Sequence, residues 1–248
     1  MARGDVVFSP EGERIVLVDI GHEVLLDNDT VRVWEIRLAP GEIQPWHLHH
    51  NPYLVLPLRP SPGRMDWLDG SPSRFIDTEV GGAVYRPITP IHRLTNIGDA
   101  HYKNRLTEVL ELDETRSQPV DIGAGARGAP SARPPGGPEP DGRERVLDHP
   151  HIGVWELIVP ATGSVSVKLA DVPHVLVRLD EAGADPGVVF HPGGALHMSD
   201  KHGRDGRFLL VELRYLTCGL PVEAQRHSMT DDLSYDPDPP MVPPRATP

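Results

Sequence analysis

The sequence predicts an all-β chain made of two copies of one small β-fold in tandem. Three observations carry that expectation: many short strand-like runs, little helical periodicity, and ordered matches between the two halves. The runs RIVLVDI, TVRVWEIRL, PYLVLPL, AVYRPI and RLTEVLEL are rich in β-branched, leucine and aromatic residues, which suit a pleated surface. APGE, SPGR, LDGS and NIGD punctuate them with turn chemistry. With 28 prolines and 24 glycines in 248 residues, long helices have little room. Short strands of this spacing point to a sandwich or barrel.

The duplication is read from three matches in order. DNDTVRVWEIRL (27–38) and DHPHIGVWELIV (148–159) share Asp and then Val-Trp-Glu at an offset of 121. The same offset places Leu48, Pro52 and Leu58 on Leu169, Pro173 and Leu179. GAVYRPITPIH (82–92) then matches GVVFHPGGALH (187–197) at an offset of 105. The difference of 16 is a shortened connection ahead of the third match.

Residues 113–145 carry almost no large apolar side chain and are dense in Pro, Gly, Ala and Arg. Such a stretch offsets little of its ordering entropy by burial, so it reads as a flexible Pro/Gly-rich linker. The expected organisation is a first barrel with a metal site over 1–112, the linker over 113–145, a degenerate second barrel over 146–228 and a Pro-rich tail over 229–248.

Composition excludes several partners. The 36 acidic against 24 basic residues give a net charge of −12, and no basic run provides the concentrated positive surface that nucleic acid needs. Cys218 is the one cysteine, so no intramolecular disulfide forms. The N-terminal stretch lacks the apolar core of a signal peptide, and nowhere do about 18 apolar residues run together as a spanning helix requires. A soluble cytoplasmic protein with no membrane partner is expected, and a homodimer is compatible with it.

The chemistry concentrates in PWHLHHNPYLVLPL, residues 45–58. Residues at i and i+2 of a strand point to one face, so His47 and His49 can reach one ion. His92 ends another strand-like run and supplies a third imidazole if the strands are neighbours. Three protein ligands leave positions open for water or substrate, as catalytic sites do. Strict alternation puts Tyr53 on the same face and His50 out of phase. Tyr53 reads equally as a substrate-positioning or acid/base group and as a barrel-lining aromatic packed on Trp46 or Trp34. Arg86 and Arg93 flank the second histidine run. Arg86 is the candidate to pair with a substrate carboxylate, and Arg93 is expected to be exposed.

Two spaced motifs resemble those of the cupin family. The chain reads Gly41-x5-His47-x-His49-x3-Tyr53 and then Gly81-x5-Pro87-x-Thr89-x2-His92-x3-Asn96, against G-x5-H-x-H-x3/4-E-x6-G and G-x5-P-x-G-x2-H-x3-N. The resemblance covers roughly residues 20–112 and 146–216 and implies a double-stranded β-helix, or jelly-roll, barrel in each half: a bicupin. Thr89 stands where the family has a turn glycine, and the glycine closing the first motif has drifted to about Gly63. Tyr53 stands where the family has a ligating glutamate. A phenol of pKa near 10 is a poor ligand, so the expected metal site is His47, His49 and His92.

Three neutral ligands leave a divalent metal its full charge, which favours an anionic or bidentate oxygen substrate. The resemblance agrees, because three-histidine cupins include Fe(II)-dependent dioxygenases acting on thiols, diketones and gentisate. The expected function is a mononuclear non-haem Fe(II) dioxygenase-type oxidoreductase that uses O2 and a small anionic substrate. Zn, Ni, Mn or Cu fits the same ligands. A non-redox isomerase, lyase or hydrolase and a non-catalytic small-molecule-binding cupin are therefore the alternatives.

The second copy loses the pattern. Lys168 and Ala170 replace His47 and His49, His174 takes the place of Tyr53, and His197 that of His92. His191 and His202 follow no recognisable ligand spacing. A structural role is expected for this half, with its sheet edge covered by its twin.

Overall fold

The structure is a computed structural model that describes residues 3–87, 89–110, 125–180, 187–199 and 204–214. Strands dominate, and no α-helix forms among the described residues. The first half contains β1 (Val6–Phe8), β2 (Arg14–Val16), β3 (Glu23–Asp27), β4 (Val31–Leu38), β5 (Ile43–His47) and β6 (Tyr53–Arg59). It continues with β7 (Gly63–Trp67), β8 (Arg74–Ile76), β9 (Ala83–Arg86), β10 (His92–Asn96) and β11 (Tyr102–Val109). Then come β12 (Ala126–Gly128), β13 (Glu144–Asp148), β14 (Ile152–Val159), β15 (Ser164–Lys168), β16 (His174–Arg178), β17 (Val188–His191), β18 (Ala195–Ser199) and β19 (Gly206–Leu213).

The duplication is visible strand by strand. At the offset of 121, β3, β4 and β5 fall on β13, β14 and β15, and the start of β6 falls on that of β16. At 105, β9 falls on β17. In the first half a six-stranded sheet, in the order β12-β9-β6-β11-β4-β3, faces a four-stranded sheet ordered β5-β10-β7-β8. In the second, a five-stranded sheet ordered β13-β14-β19-β16-β17 accompanies the pair β15-β18. All neighbours are antiparallel.

Strand alternation gives the large sheets two apolar faces. Ile36 and Leu38 of β4, Tyr53 of β6 and Leu106 of β11 close the interior of the first barrel with Ile76 and Leu94. Their out-of-phase neighbours, Val31, Val33, Leu54, Leu56 and Val109, pack instead against Val154, Val175, Val177, Leu209 and Val211 of the second half. Several of these are completely buried. One continuous core therefore lies between the barrels, as in face-to-face sheet packing. The second barrel has its own interior of Trp155, Leu157, Val167, Leu176, Leu196 and Leu210.

The repeated Val-Trp-Glu acquires a reason here. Trp34 and Trp155 turn toward the barrel interiors, and the glutamate beside each is buried among cations. Lys103 at 3.0 Å, Arg37 at 2.8 Å and Arg105 surround Glu35. Arg207 at 2.5 Å and Arg133 hold Glu156. Burial alone would raise both carboxyls, but these cations hold them below the usual carboxylate range.

Part of the stretch expected to be a flexible linker is ordered. β12 adds to the edge of the six-stranded sheet by pairing β9, the Ser131 hydroxyl donates to Glu79 at 2.6 Å, and Arg133 bridges to Glu156 and Glu144. Edge pairing and charge contacts order a chain without apolar side chains, which is why composition alone misjudged it. The rest of the linker before residue 125 and the expected tail lie outside the described residues, as do Cys218 and His202.

Candidate metal centre

A register slip builds the site. His47 pairs with His92, but the next partners are Gln44 and Leu94, so β5 carries one residue more than β10 between these pairs. The extra residue forms a bulge at Pro45 and Trp46. Proline lacks the N–H a regular ladder would need there, and the Trp46 carbonyl accepts from the Val18 N–H. Gln44 and His47, three residues apart, are both buried while Ile43 and Pro45 face solvent. Without the bulge, strict alternation would turn His47 outward from Gln44's face.

His49 lies just beyond β5 in irregular chain, and His92 opens β10. The two motif glycines precede β5 and β9 with φ of 77° at Gly41 and 80° at Gly81, a left-handed conformation that favours glycine. His47, His49 and His92 are 3%, 1% and 2% exposed, and one nitrogen from each lies within 4.8 Å of the others. Among the described residues this is the one such group of three.

Two of the imidazoles are oriented by the backbone two residues before them. His47 Nδ1–H donates to the Pro45 carbonyl at 2.7 Å and His92 Nδ1–H to the Pro90 carbonyl at 2.8 Å. A carbonyl only accepts, so each Nε2 carries the lone pair, the arrangement that presets a metal ligand. His49 Nδ1 is buried without a hydrogen-bond partner. Its ring plane is set by Tyr53, stacked on it at 3.9 Å between centroids and 16° between planes.

Burial pushes the His47 imidazole down from its ordinary 6.5 to about 4, despite the opposing Pro45 hydrogen bond. Burial also holds His49 and His92 well below that value; the charges of His47 and Arg86 add to it at both, and that of His92 at His49. The three are thus neutral donors at neutral pH, as a divalent metal requires. Three convergent, deprotonated nitrogens and a buried orphaned Nδ1 fit a metal ion.

The site opens into a cavity lined by Ile36, Val55, Ile76, Val84, Leu94 and Leu106, with Arg86, Thr78 and Asn104 among them. The cavity is small, with room for a few waters or a ligand of a few carbons. Arg86, 3% exposed, is the register neighbour of Tyr53. The Tyr53 hydroxyl meets Thr89 Oγ1 at 3.3 Å. Arg93 is directed elsewhere: it pairs with Asp66 at 2.9 Å and covers Trp46. His50 is half-buried. Sequence reasoning did not single out Asn104 or Thr78. The signal for Asn104 was its polar side chain in the barrel-facing row Tyr102, Asn104, Leu106.

In the second half the bulge is gone along with the ligands. β15 and β18 pair regularly, Lys168 opposite Ala195 and Ser166 opposite His197. Ser166 stands where Pro45 stands in the first copy. Lys168 and His197 therefore both face solvent, and His197 Nδ1 pairs with the Ser166 hydroxyl at 2.8 Å. Lys168 does not enter the barrel to repel an ion. His174, completely buried, keeps the place of Tyr53 and donates through Nδ1 to the Val172 carbonyl at 2.7 Å.

No family model and no curated protein matches the chain. Solved structures do. The vicilin from Solanum melongena superposes with a TM-score of 0.56 at 10% identity, covering 75% of this chain and 74% of its own. A mutant of the Bacillus subtilis oxalate decarboxylase OxdC gives 0.50 at 13% identity, covering 75% of this chain and 69% of its own. The chain has the fold of two cupin-type barrels in tandem. A cupin domain from Bordetella pertussis aligns with 44% of this chain and 97% of its own length at 25% identity, with a TM-score of 0.33. At these identities the likeness concerns fold, and the chemistry rests on the residues of the first barrel. No helix among the described residues is long and apolar enough to cross a membrane.

Proposed function

We propose that the first barrel is a metal-dependent enzyme site in which His47, His49 and His92 hold one divalent ion, Fe(II) by preference, for a dioxygenase-type reaction on a small anionic organic substrate. The observation that carries the reading is three buried imidazoles with nitrogens within 4.8 Å of one another. The ion supplies an electrophilic centre and, as Fe(II), electrons for dioxygen. The neutral ligands leave its charge uncompensated, and Arg86 adds a buried cation beside the histidines. A substrate carboxylate is therefore drawn to this end of the cavity and paired by the Arg86 guanidinium.

The Tyr53 hydroxyl, held against Thr89, is placed to donate a hydrogen bond or pass a proton at the substrate's polar end. The apolar lining excludes bulk water and strengthens these electrostatic contacts. Imidazole donors accept Zn, Ni, Mn or Cu as well. Together with an acid/base group at Tyr53 they also suit an isomerase, lyase or hydrolase, which is the second reading. The test is oxygen uptake by the Fe(II)-loaded protein with small acids, thiols and diketones, on wild type and Tyr53→Phe. Turnover that falls about 100-fold in Tyr53→Phe with metal content unchanged supports the proposal. Oxygen uptake equal in both proteins removes Tyr53 from the chemistry, and metal-dependent turnover without oxygen uptake selects the second reading.

A further inference from the structure

The cavity has a second polar end. Asn104 is 1% exposed and lies four residues along β11 from Glu108, the register partner of Tyr53. Its Nδ2 donates to the Tyr102 hydroxyl at 2.7 Å, while its Oδ1 is buried with no hydrogen-bond partner. Thr78 Oγ1, which also lines the cavity and lies three residues before Gly81, whose N–H donates to Asn104's register partner Pro57, is likewise buried and unpartnered. Between this end and the histidines the lining is mostly apolar, with Ile36, Val55, Leu94 and Leu106, and the amide of Gln44 opposite Leu94 is already engaged, donating to the Asp19 and Ile20 carbonyls. An orphaned carbonyl oxygen in such surroundings costs free energy until a donor reaches it.

We infer that Asn104 and Thr78 form a tail subsite, and that the substrate is a short monocarboxylate whose far end carries a neutral hydrogen-bond donor such as a hydroxyl. This deepens, and rests on, the proposal of an anionic substrate at the histidine end. The asymmetry of the lining argues against a second carboxylate. Arg86 is the one cation among the described lining residues and stands at the histidine end. At the other end the Asn104 amide oxygen repels an anion and accepts from a hydroxyl. An alkyl tail would leave Oδ1 unsatisfied, which a polar-specific pocket penalises. The small volume confines the substrate to a few carbons between its two ends.

A matched series of equal backbone length tests the inference: butanoate, 4-hydroxybutanoate and succinate, titrated calorimetrically into the metal-loaded protein. 4-Hydroxybutanoate should bind roughly fivefold to tenfold more tightly than butanoate, with succinate weakest. Asn104→Leu should erase the hydroxyl's advantage with metal content unchanged, and Thr78→Val should reduce it, which serves if the first variant does not fold. Equal binding of all three, succinate binding best, or an order unaffected by Asn104→Leu in a folded protein would overturn the tail subsite while leaving the anionic substrate standing. Binding of none of the three by a protein that holds its metal would overturn the anionic-substrate reading and this inference with it.

Discussion

Acidification should unfold the metal-free protein well before its carboxylates titrate, and His47 sets the scale. In the unfolded chain its imidazole has the ordinary pKa of 6.5, and in the folded barrel burial lowers it to about 4. Between those values the unfolded state binds a proton that the folded state refuses, so stability falls as pH falls. Taking pH 7 to pH 5 as the window, this one group costs about 2 kcal/mol, a large share of the 5–15 kcal/mol typical of a folded domain. His49 and His92 are shifted in the same direction by burial and add to the loss. Buried His174 adds a further contribution that does not depend on the triad. The depressed carboxylates, Glu35 and Glu156 among them, lose their contribution only below the ordinary carboxylate range. The assay is urea denaturation of chelator-treated protein at pH 7 and pH 5, on wild type and His47→Gln. The variant should lose about 2 kcal/mol less than wild type across the window. An identical pH dependence in the two proteins would refute the claim that His47 is buried and neutral.

Two further outcomes follow from the architecture. Deleting Pro45 removes the extra residue of β5 and leaves Gln44 and His47 two apart, on one face by strict alternation, so metal content should stay near that of wild type; loss of metal with a β-like far-ultraviolet spectrum would show that the bulge itself, and not the register it preserves, aims the ligand. Leu209→Ala opens a hole in the core shared by both barrels and should cost about 2–5 kcal/mol within a single unfolding transition, whereas two resolved transitions would mean that the barrels fold independently.

How much of this was legible in the sequence varies with the physics behind each feature. The three histidines, Arg86 and the tandem barrels follow from motif spacing and from the offsets of 121 and 105. The period of two placed His47 and His49 on one face, the right result for an incomplete reason. His49 stands beyond β5, and a bulge, which no periodicity rule registers, rotates His47 inward. The same blindness put His197 in the place of His92. Position in the alignment is correct, but β15 and β18 pair without a bulge and the imidazole faces solvent. The linker was misread where order comes from an added edge strand and arginine–carboxylate contacts rather than apolar burial. Asn104 escaped because a polar residue in a strand announces nothing until its neighbours are known to enclose a cavity.

That the first barrel is a metal centre is tested most directly by elemental analysis of the purified protein and of the His47→Ala/His49→Ala double variant. About one divalent ion per chain is expected in wild type, iron if the dioxygenase reading holds, and none in the double variant. No metal in the wild-type protein, even after reconstitution, would contradict it.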